Sequence, residues 1–165
     1  MNYELCSQFL DVALWAEDDL IEVRQNAVYG IGVLSKYIAK DAFKSLIPKF
    51  KEVINKAMTH PEAKSEDYLV ITENAIISQG FLAVYQTQDA ADASAFLKSL
   101  PLEGEDEARE AYEFVIDQTL AKNQTLCSDV ALLKQALTKI SEQASSNSEL
   151  LSEEVQGKLS SALNM

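Results

Sequence analysis

The sequence has little of what loop-rich, secreted or membrane-spanning proteins need. Its 165 residues include only five Gly and three Pro, too few for a loop-rich or disordered chain. The two cysteines, Cys6 and Cys127, lie far apart, whereas a small secreted scaffold needs more of them in pairs. No apolar stretch approaches the ~20 residues of a membrane span, and the N-terminus lacks a secretion signal. We therefore expect free thiols in a reducing compartment, the cytosol or the nucleus.

Residue types that carry catalysis are equally sparse. His60 is the one histidine, and it lies in a polar loop next to Pro61 with neither cysteine nearby in sequence. Gly30 and Gly32 lie inside a predicted helix, so we interpret them as packing glycines and not as a dinucleotide loop. An enzyme built in a helical bundle would be favoured by paired Glu-x-x-His motifs, which the sequence lacks. We expect no enzyme, no cofactor and no metal site, and we interpret His60 as a surface residue.

What the sequence does contain is a series of amphipathic segments with helical periodicity. In residues 20–39, for example, Val23, Ala27 and Ile31 fall on one face. The predicted helices span residues 2–16, 20–39, 41–57, 67–86, 89–99, 105–122, 126–144 and 151–163. These helices form pairs joined by short polar turns, with approximate hairpins at 1–39, 40–86, 87–122 and 123–165.

The second and fourth predicted helices match at a fixed offset. Ala27 and Gly32 recur 48 residues later as Ala75 and Gly80. A small residue followed five positions later by glycine allows a neighbouring helix to approach closely. A repeat of ~40–47 residues containing two helices is typical of HEAT and armadillo proteins. The predicted fold class is all-α, an α-solenoid of about four HEAT-type hairpins in one segment, 1–165. A four-helix bundle is the alternative.

Two local features favour HEAT hairpins. Asp19 precedes Arg24 by five residues at the opening of a second helix, where the acid can cap free N–H groups. The arginine lies about one turn further in, where it can pair with an acid of an adjacent repeat. Pro48 falls inside the predicted helix 41–57, where a proline removes one hydrogen bond and bends the helix. HEAT first helices commonly carry such a proline.

Four segments resemble one family more closely than the repeat type requires. Residues 23–33, VRQNAVYGIGV, resemble a second helix of the karyopherin-β proteins, and 72–76, TENAI, resemble the equivalent helix of the following repeat. Residues 96–102, FLKSLPL, resemble that family's turn ending in LPL. Residues 105–114 resemble the segment that follows this turn in the same family, with the same order and spacing. Together these segments resemble the C-terminal HEAT repeats of an importin-β (karyopherin-β) nuclear transport receptor, nearest the importin beta-3 branch.

The resemblance implies a function and a set of partners. It implies a binding module of a nuclear import receptor that carries basic cargo proteins, contacts nuclear-pore proteins, and shuttles between cytoplasm and nucleus. Ran·GTP binds N-terminal repeats in that family, and this chain does not include them. The resemblance therefore also implies that the chain is the C-terminal fragment of a longer receptor. A HEAT-repeat scaffold or adaptor unrelated to nuclear transport is the alternative.

Charge placement supplies the one candidate site. The net charge of −12 argues against a nucleic-acid surface, and residues 61–120 carry thirteen acids against three bases. On the predicted helix 105–122, four acids fall within about 80° of one another. These acids are Asp106, Glu110, Glu113 and Asp117. The opposite side carries Ala108, Tyr112, Val115 and Thr119. This acidic stripe is either a solvated helix face or a surface for a basic ligand, because like charges four residues apart repel and Arg109 is the only nearby base.

The first predicted helix has an unusually broad apolar surface. Leu10 and Leu14 extend the apolar side well around the helix. The last helix, 151–163, is rich in polar residues, as suits a terminal cap. We therefore expect a chain truncated at its N-terminal end and complete at its C-terminal end, with an exposed apolar patch on the first hairpin.

Overall fold

The structure is a computed structural model that describes residues 8, 10, 11 and 21–165. Within 21–165 it contains seven α-helices and no β-strand, so the predicted all-α class is confirmed for that part of the chain. The helices are α1 (Ile21–Tyr37), α2 (Ile47–Met58), α3 (Glu66–Phe81), α4 (Ala90–Lys98), α5 (Glu105–Leu120), α6 (Val130–Ser146) and α7 (Glu153–Leu163). Short 3₁₀ turns at Lys44–Leu46 and Leu126–Ser128 precede α2 and α6, and a π-helical segment, Leu82–Thr87, continues α3.

The chain divides into two compact units, Met1–Thr87 and Gln88–Met165. The division falls next to the predicted boundary between the second and third hairpins. The first predicted helix, 2–16, lies outside the described residues except for three helical positions, 8, 10 and 11. The arrangement of the chain as four HEAT hairpins stays a prediction.

In the first unit, α1 and α3 lie side by side and run parallel. Ser78 Oγ donates to the Val28 carbonyl at 2.7 Å. Further along, Gln86 Nε2 donates to the carbonyl oxygens of Ser35 and Ile38, at 2.9 and 3.1 Å. These bonds join residues 48 to 51 positions apart, close to the offset at which the sequence repeats. The two helices that match in sequence are therefore direct neighbours in space.

The core of the first unit forms where α2 packs against both α1 and α3. On α2 the buried side chains recur at i, i+3, i+4 and i+7, namely Phe50, Val53, Ile54 and Ala57. They meet Val28 and Ile31 of α1 and Ile71 and Ala75 of α3, all nearly or fully buried. Because each helix presents one apolar stripe, the three helices close a single core.

Leu10 belongs to this core, which corrects one expectation. Its side chain is 4% exposed and lies in the same buried cluster as Val28 and Phe50. We had expected Leu10 to form part of an exposed apolar patch on the first hairpin. That was wrong for Leu10, because the core of the unit covers it. Leu14, the other residue of the expected patch, lies outside the described residues.

Pro48 takes a different position from the one expected. The α-helix begins at Ile47, so Pro48 lies in its first turn and not in the interior of a helix from 41 to 57. The backbone N–H groups of a first turn have no intrahelical acceptor, so proline removes no helical hydrogen bond there, and its fixed φ suits the position. Pro48 therefore helps to start α2, and the expected loss of a hydrogen bond does not occur.

In the second unit, alternate helices pack against each other. α4 packs against α6, α5 packs against α7, and α6 also contacts α7. Side chains fix where three of these helices start. Asp89 Oδ1 accepts from Ala91 N at 2.9 Å, Asp129 Oδ1 from Leu132 N at 3.0 Å, and Ser152 Oγ from Val155 N at 3.4 Å. The cap at Asp129 explains why α6 begins at Val130, four residues later than predicted.

A polar network secures the turn between α4 and α5. Leu102 N donates to Tyr112 Oη at 3.0 Å, and that hydroxyl donates to Gln143 Oε1 of α6. Gln143 Nε2 in turn donates to Leu102 O at 2.8 Å, and Lys139 Nζ donates to Leu100 O at 3.2 Å. Leu100 and Leu102 are each 2% exposed, whereas Pro101 between them is exposed. The backbone groups of the two buried leucines therefore depend on α5 and α6 for their partners.

Candidate functional site

The acidic stripe lies on the solvent side of α5. Asp106, Glu113 and Asp117 are exposed, and Glu110 is half-buried. The opposite side of the helix is buried, with Ala108, Tyr112 and Val115 at 0% and Thr119 at 4% exposure. One side of α5 therefore contributes to the core, while the other presents four carboxylates.

Basic side chains pair with both ends of the stripe. Arg109 Nη1 contacts Asp106 Oδ1 at 3.0 Å, and Arg109 Nε donates to the Leu150 carbonyl at 3.1 Å. At the other end, Lys158 Nζ of α7 contacts Asp117 Oδ1 at 3.3 Å. Sequence reasoning found Arg109 but not Lys158, because that contact depends on the packing of α7 against α5.

Lys158 is a half-exposed cation among acids. Its hydrogen bond to Asp117 and the charge of that carboxylate raise the pKa of Lys158 above its ordinary value, so it stays charged at neutral pH. Lys158 Nζ also lies 3.6 Å from Glu154 Oε1 on its own helix. Ion pairs of this kind at the protein surface are weak because water screens them, so other cations can exchange for Lys158.

Glu113 is the open centre of the stripe. Its side chain is exposed and forms no ion pair within the described part of the chain. It lies one helical turn from both Glu110 and Asp117. Glu153 and Glu154 add exposed carboxylates on the adjacent α7. The site is therefore a two-helix acidic surface on which both end positions have a basic partner and Glu113 has none among the described residues.

The pairing predicted for Arg24, with an acid of an adjacent repeat, stays a prediction. Asp19 lies outside the described residues. Arg24 is 8% exposed, and its Nη1 lies 3.5 Å from Nε2 of His60. The His60 ring stacks on Tyr68 at 4.1 Å between centroids, and its Nδ1 accepts from Glu62 N at 3.2 Å. His60 is thus half-buried and packed, so its interpretation as a surface residue was wrong.

We expect Arg24→Ala to lower the free energy of unfolding by roughly 1 kcal/mol, more than the ~0.5 kcal/mol of a neutral surface change. The substitution removes both the buried stem of the side chain and the guanidinium beside His60. Urea titration followed by circular dichroism measures the effect. Gln25→Ala, at the half-buried neighbouring position, is the control. Equal midpoints for the two variants would show that the burial of Arg24 contributes nothing.

The described residues contain no group of three His, Cys, Asp or Glu side chains placed to hold a metal ion. No helix described there combines the length and apolar character needed to cross a bilayer. Cys127 is a half-buried free thiol, and burial raises its pKa above the ordinary value. Cys6 lies outside the described residues.

Comparison of the chain with protein-family models, with curated proteins and with solved structures finds no match. The helix packing and the charges of α5 and α7 are therefore the features from which a function can be inferred.

Proposed function

We propose that the chain is a HEAT-type α-solenoid segment that binds basic proteins through the acidic stripe of α5. Within this proposal it is a binding module of a nuclear import receptor of the importin-β family. The observation that carries the binding part is the exposed, unpaired Glu113 between two further carboxylates, on a helix whose other side is core. The segments that resemble karyopherin-β repeats, residues 23–33, 72–76, 96–102 and 105–114, support the family part.

The packing order of the helices supports a solenoid. In a helical repeat protein each hairpin contacts its neighbours, so equivalent helices of successive repeats lie next to each other. Within the first unit α1 lies beside α3, at the repeat offset. Within the second unit α4 lies beside α6, and α5 beside α7. An up-and-down four-helix bundle would instead place consecutive helices as its main neighbours.

Electrostatics favour a basic ligand over a purely solvated face. The chain carries a net charge of −12, so a basic protein is attracted from a distance before any contact forms. At the stripe itself, a lysine or arginine of the ligand can pair with Glu113 and can replace Lys158 on Asp117 at little cost. Complementary charge of this kind contributes mainly rate and selectivity, so we expect binding that weakens steeply with salt.

We expect Glu113→Gln and Asp117→Asn each to weaken binding of a basic protein by up to about fivefold, the equivalent of one exposed ion pair. Fluorescence anisotropy with a labelled lysine-rich peptide, at two salt concentrations, measures the affinity. Glu142→Gln on α6 is the matched control, because it removes one exposed carboxylate away from the stripe. If all three variants bind alike, the stripe is a solvated face and the proposed site is wrong.

The transport part of the proposal has a separate test. For the full-length receptor implied by the resemblance, we expect retention on immobilised Ran·GTP and release of basic cargo on Ran·GTP addition. A HEAT adaptor unrelated to transport would bind basic proteins without any response to Ran·GTP. This outcome would support the acidic site and contradict the proposed import function.

A further inference from the structure

The two basic side chains of the acidic stripe are held in different ways. Arg109 Nε donates to the Leu150 carbonyl, so a backbone group fixes its guanidinium in addition to a carboxylate. Within the described residues, Lys158 Nζ contacts carboxylates alone, Asp117 at 3.3 Å and Glu154 at 3.6 Å. The two basic side chains are equally exposed, at 41% and 40%, so they differ in their partners and not in burial. Lys158 can therefore leave its position without depriving a backbone group of its hydrogen bond.

α5 runs parallel to the chain from residue 147 to the end of α7, at an almost constant offset. Three hydrogen bonds join residues 41 or 42 positions apart, namely Glu105–Asn147, Arg109–Leu150 and Asp117–Lys158. At the offset of 41, Glu154 lies level with Glu113, and Lys158 and Asp117 follow one helical turn later on their own helices. Carboxylates from both helices therefore converge on the Lys158 ammonium.

We propose that Lys158 is an internal competitor of the basic ligand, and that its ammonium occupies the position that a lysine ammonium of the bound protein takes. This inference rests on the proposed function. The contacts of Nζ with Asp117 and Glu154 define a place for one ammonium between two helices. The lysine stem is flexible and its surface ion pairs are weak, so Lys158 can move into solvent and free this place for a cation of the ligand.

An internal competitor makes the site selective for ligands with several cations. A ligand lysine that replaces Lys158 on Asp117 gains one ion pair while the protein loses one, so this exchange alone contributes little. A second ligand cation on Glu113 adds an ion pair without displacing any described base. Glu113 and Asp117 are four residues apart on α5, a rise of about 6 Å. The site therefore favours a basic protein that presents two neighbouring lysines over one that presents a single lysine.

Fluorescence anisotropy with a labelled peptide that carries several lysines tests the proposal. Lys158→Gln removes the internal cation, and we expect the peptide to bind about two- to fivefold more tightly, the equivalent of one exposed ion pair. Lys158→Arg keeps a cation at this position and should bind like the wild type. Lys134→Gln, which removes an exposed lysine of α6, is the matched control and should leave the affinity unchanged. Equal far-ultraviolet circular dichroism spectra confirm that the variants keep their helices.

The same substitution in an Asp117→Asn background separates competition from a general change in charge. Without the Asp117 carboxylate, the removal of Lys158 no longer frees the site, so most of the gain in affinity should disappear. A gain of the same size in both backgrounds would show that only the net charge matters, and it would overturn the proposal.

The remaining outcomes distinguish this inference from the proposed function. If the wild type binds the peptide and Glu113→Gln weakens binding, but Lys158→Gln binds no more tightly than Lys134→Gln, Lys158 is not a competitor and the proposed function stands. Tighter binding by Lys158→Arg would also overturn the inference, because arginine keeps the charge. A peptide that neither the wild type nor Lys158→Gln binds would overturn the proposed function and this inference together.

Discussion

Tyr112→Phe is expected to lower the free energy of unfolding by about 1–3 kcal/mol, although it removes a single oxygen atom. The Tyr112 side chain is fully buried, and its hydroxyl accepts from Leu102 N and donates to Gln143 Oε1. Phenylalanine keeps the ring and its packing, but it leaves the buried Leu102 N–H and the half-buried Gln143 amide oxygen without that partner. A buried group costs about 1–3 kcal/mol when water cannot reach it, and the Gln143 oxygen adds less because its side chain is partly exposed.

Tyr68→Phe is the matched comparison in the first unit. Tyr68 is 1% exposed, and its hydroxyl forms no hydrogen bond with any part of the chain that the structure describes. Removing that hydroxyl relieves the cost of burying it, while the ring still stacks on His60. We therefore expect Tyr68→Phe to leave the free energy of unfolding unchanged or to raise it by about 1 kcal/mol.

The two tyrosine variants are compared by urea titration followed by far-ultraviolet circular dichroism. Opposite signs are expected from one chemical change, and the difference arises from the hydrogen bonds alone. A Tyr112→Phe midpoint equal to that of the wild type would mean that water or a rearranged Gln143 side chain replaces the lost hydrogen bond to Leu102 N. Gln143→Leu tests this directly, because it removes the second member of the network.

The helices of this protein were predictable because their apolar residues recur at helical spacing. α3 and α5 begin within a residue of the predicted positions. The errors occur where a local interaction competes with periodicity. Pro48 starts α2 instead of bending it, and the cap at Asp129 delays the start of α6. Neither effect changes the spacing of the apolar residues, so a helix start predicted from that spacing alone misses both.

The positions of the acids on α5 were predictable from the sequence, but their contacts with other helices were not. The exposed and buried sides of α5 follow from the 100° rotation per residue, so the acids could be placed from the sequence. The contact of Lys158 with Asp117 joins residues 41 positions apart and depends on the packing of α7 beside α5. The same limit applies to Gly30 and Gly32, which are two residues apart on one helix. Only the position of α3 shows that Gly32 is the packing glycine, and the interpretation of Gly30 as a second one was wrong within the described residues.

Gly32→Ala is expected to lower the free energy of unfolding by about 1–2 kcal/mol. The new Cβ would lie 2.7 Å from Ser78 Oγ and 3.6 Å from Phe81 Cδ2. Ser78 cannot rotate away without losing its bond to the Val28 carbonyl, which joins α1 to α3. Overpacking of this kind costs about 1–3 kcal/mol, and the better helix propensity of alanine offsets up to about 1 kcal/mol of that cost.

Gly30→Ala separates this clash from the general effect of glycine in a helix. Its Cβ would meet no described atom within 4 Å, so only the propensity gain remains, and we expect about 0.5–1 kcal/mol of stabilisation. Thermal unfolding of the two variants side by side measures the contrast. Gly32→Ala in a Ser78→Ala background completes the test, because removal of Oγ should relieve most of the cost. If Gly32→Ala stabilises the chain as much as Gly30→Ala does, α1 and α3 do not approach as closely as the Ser78–Val28 bond requires.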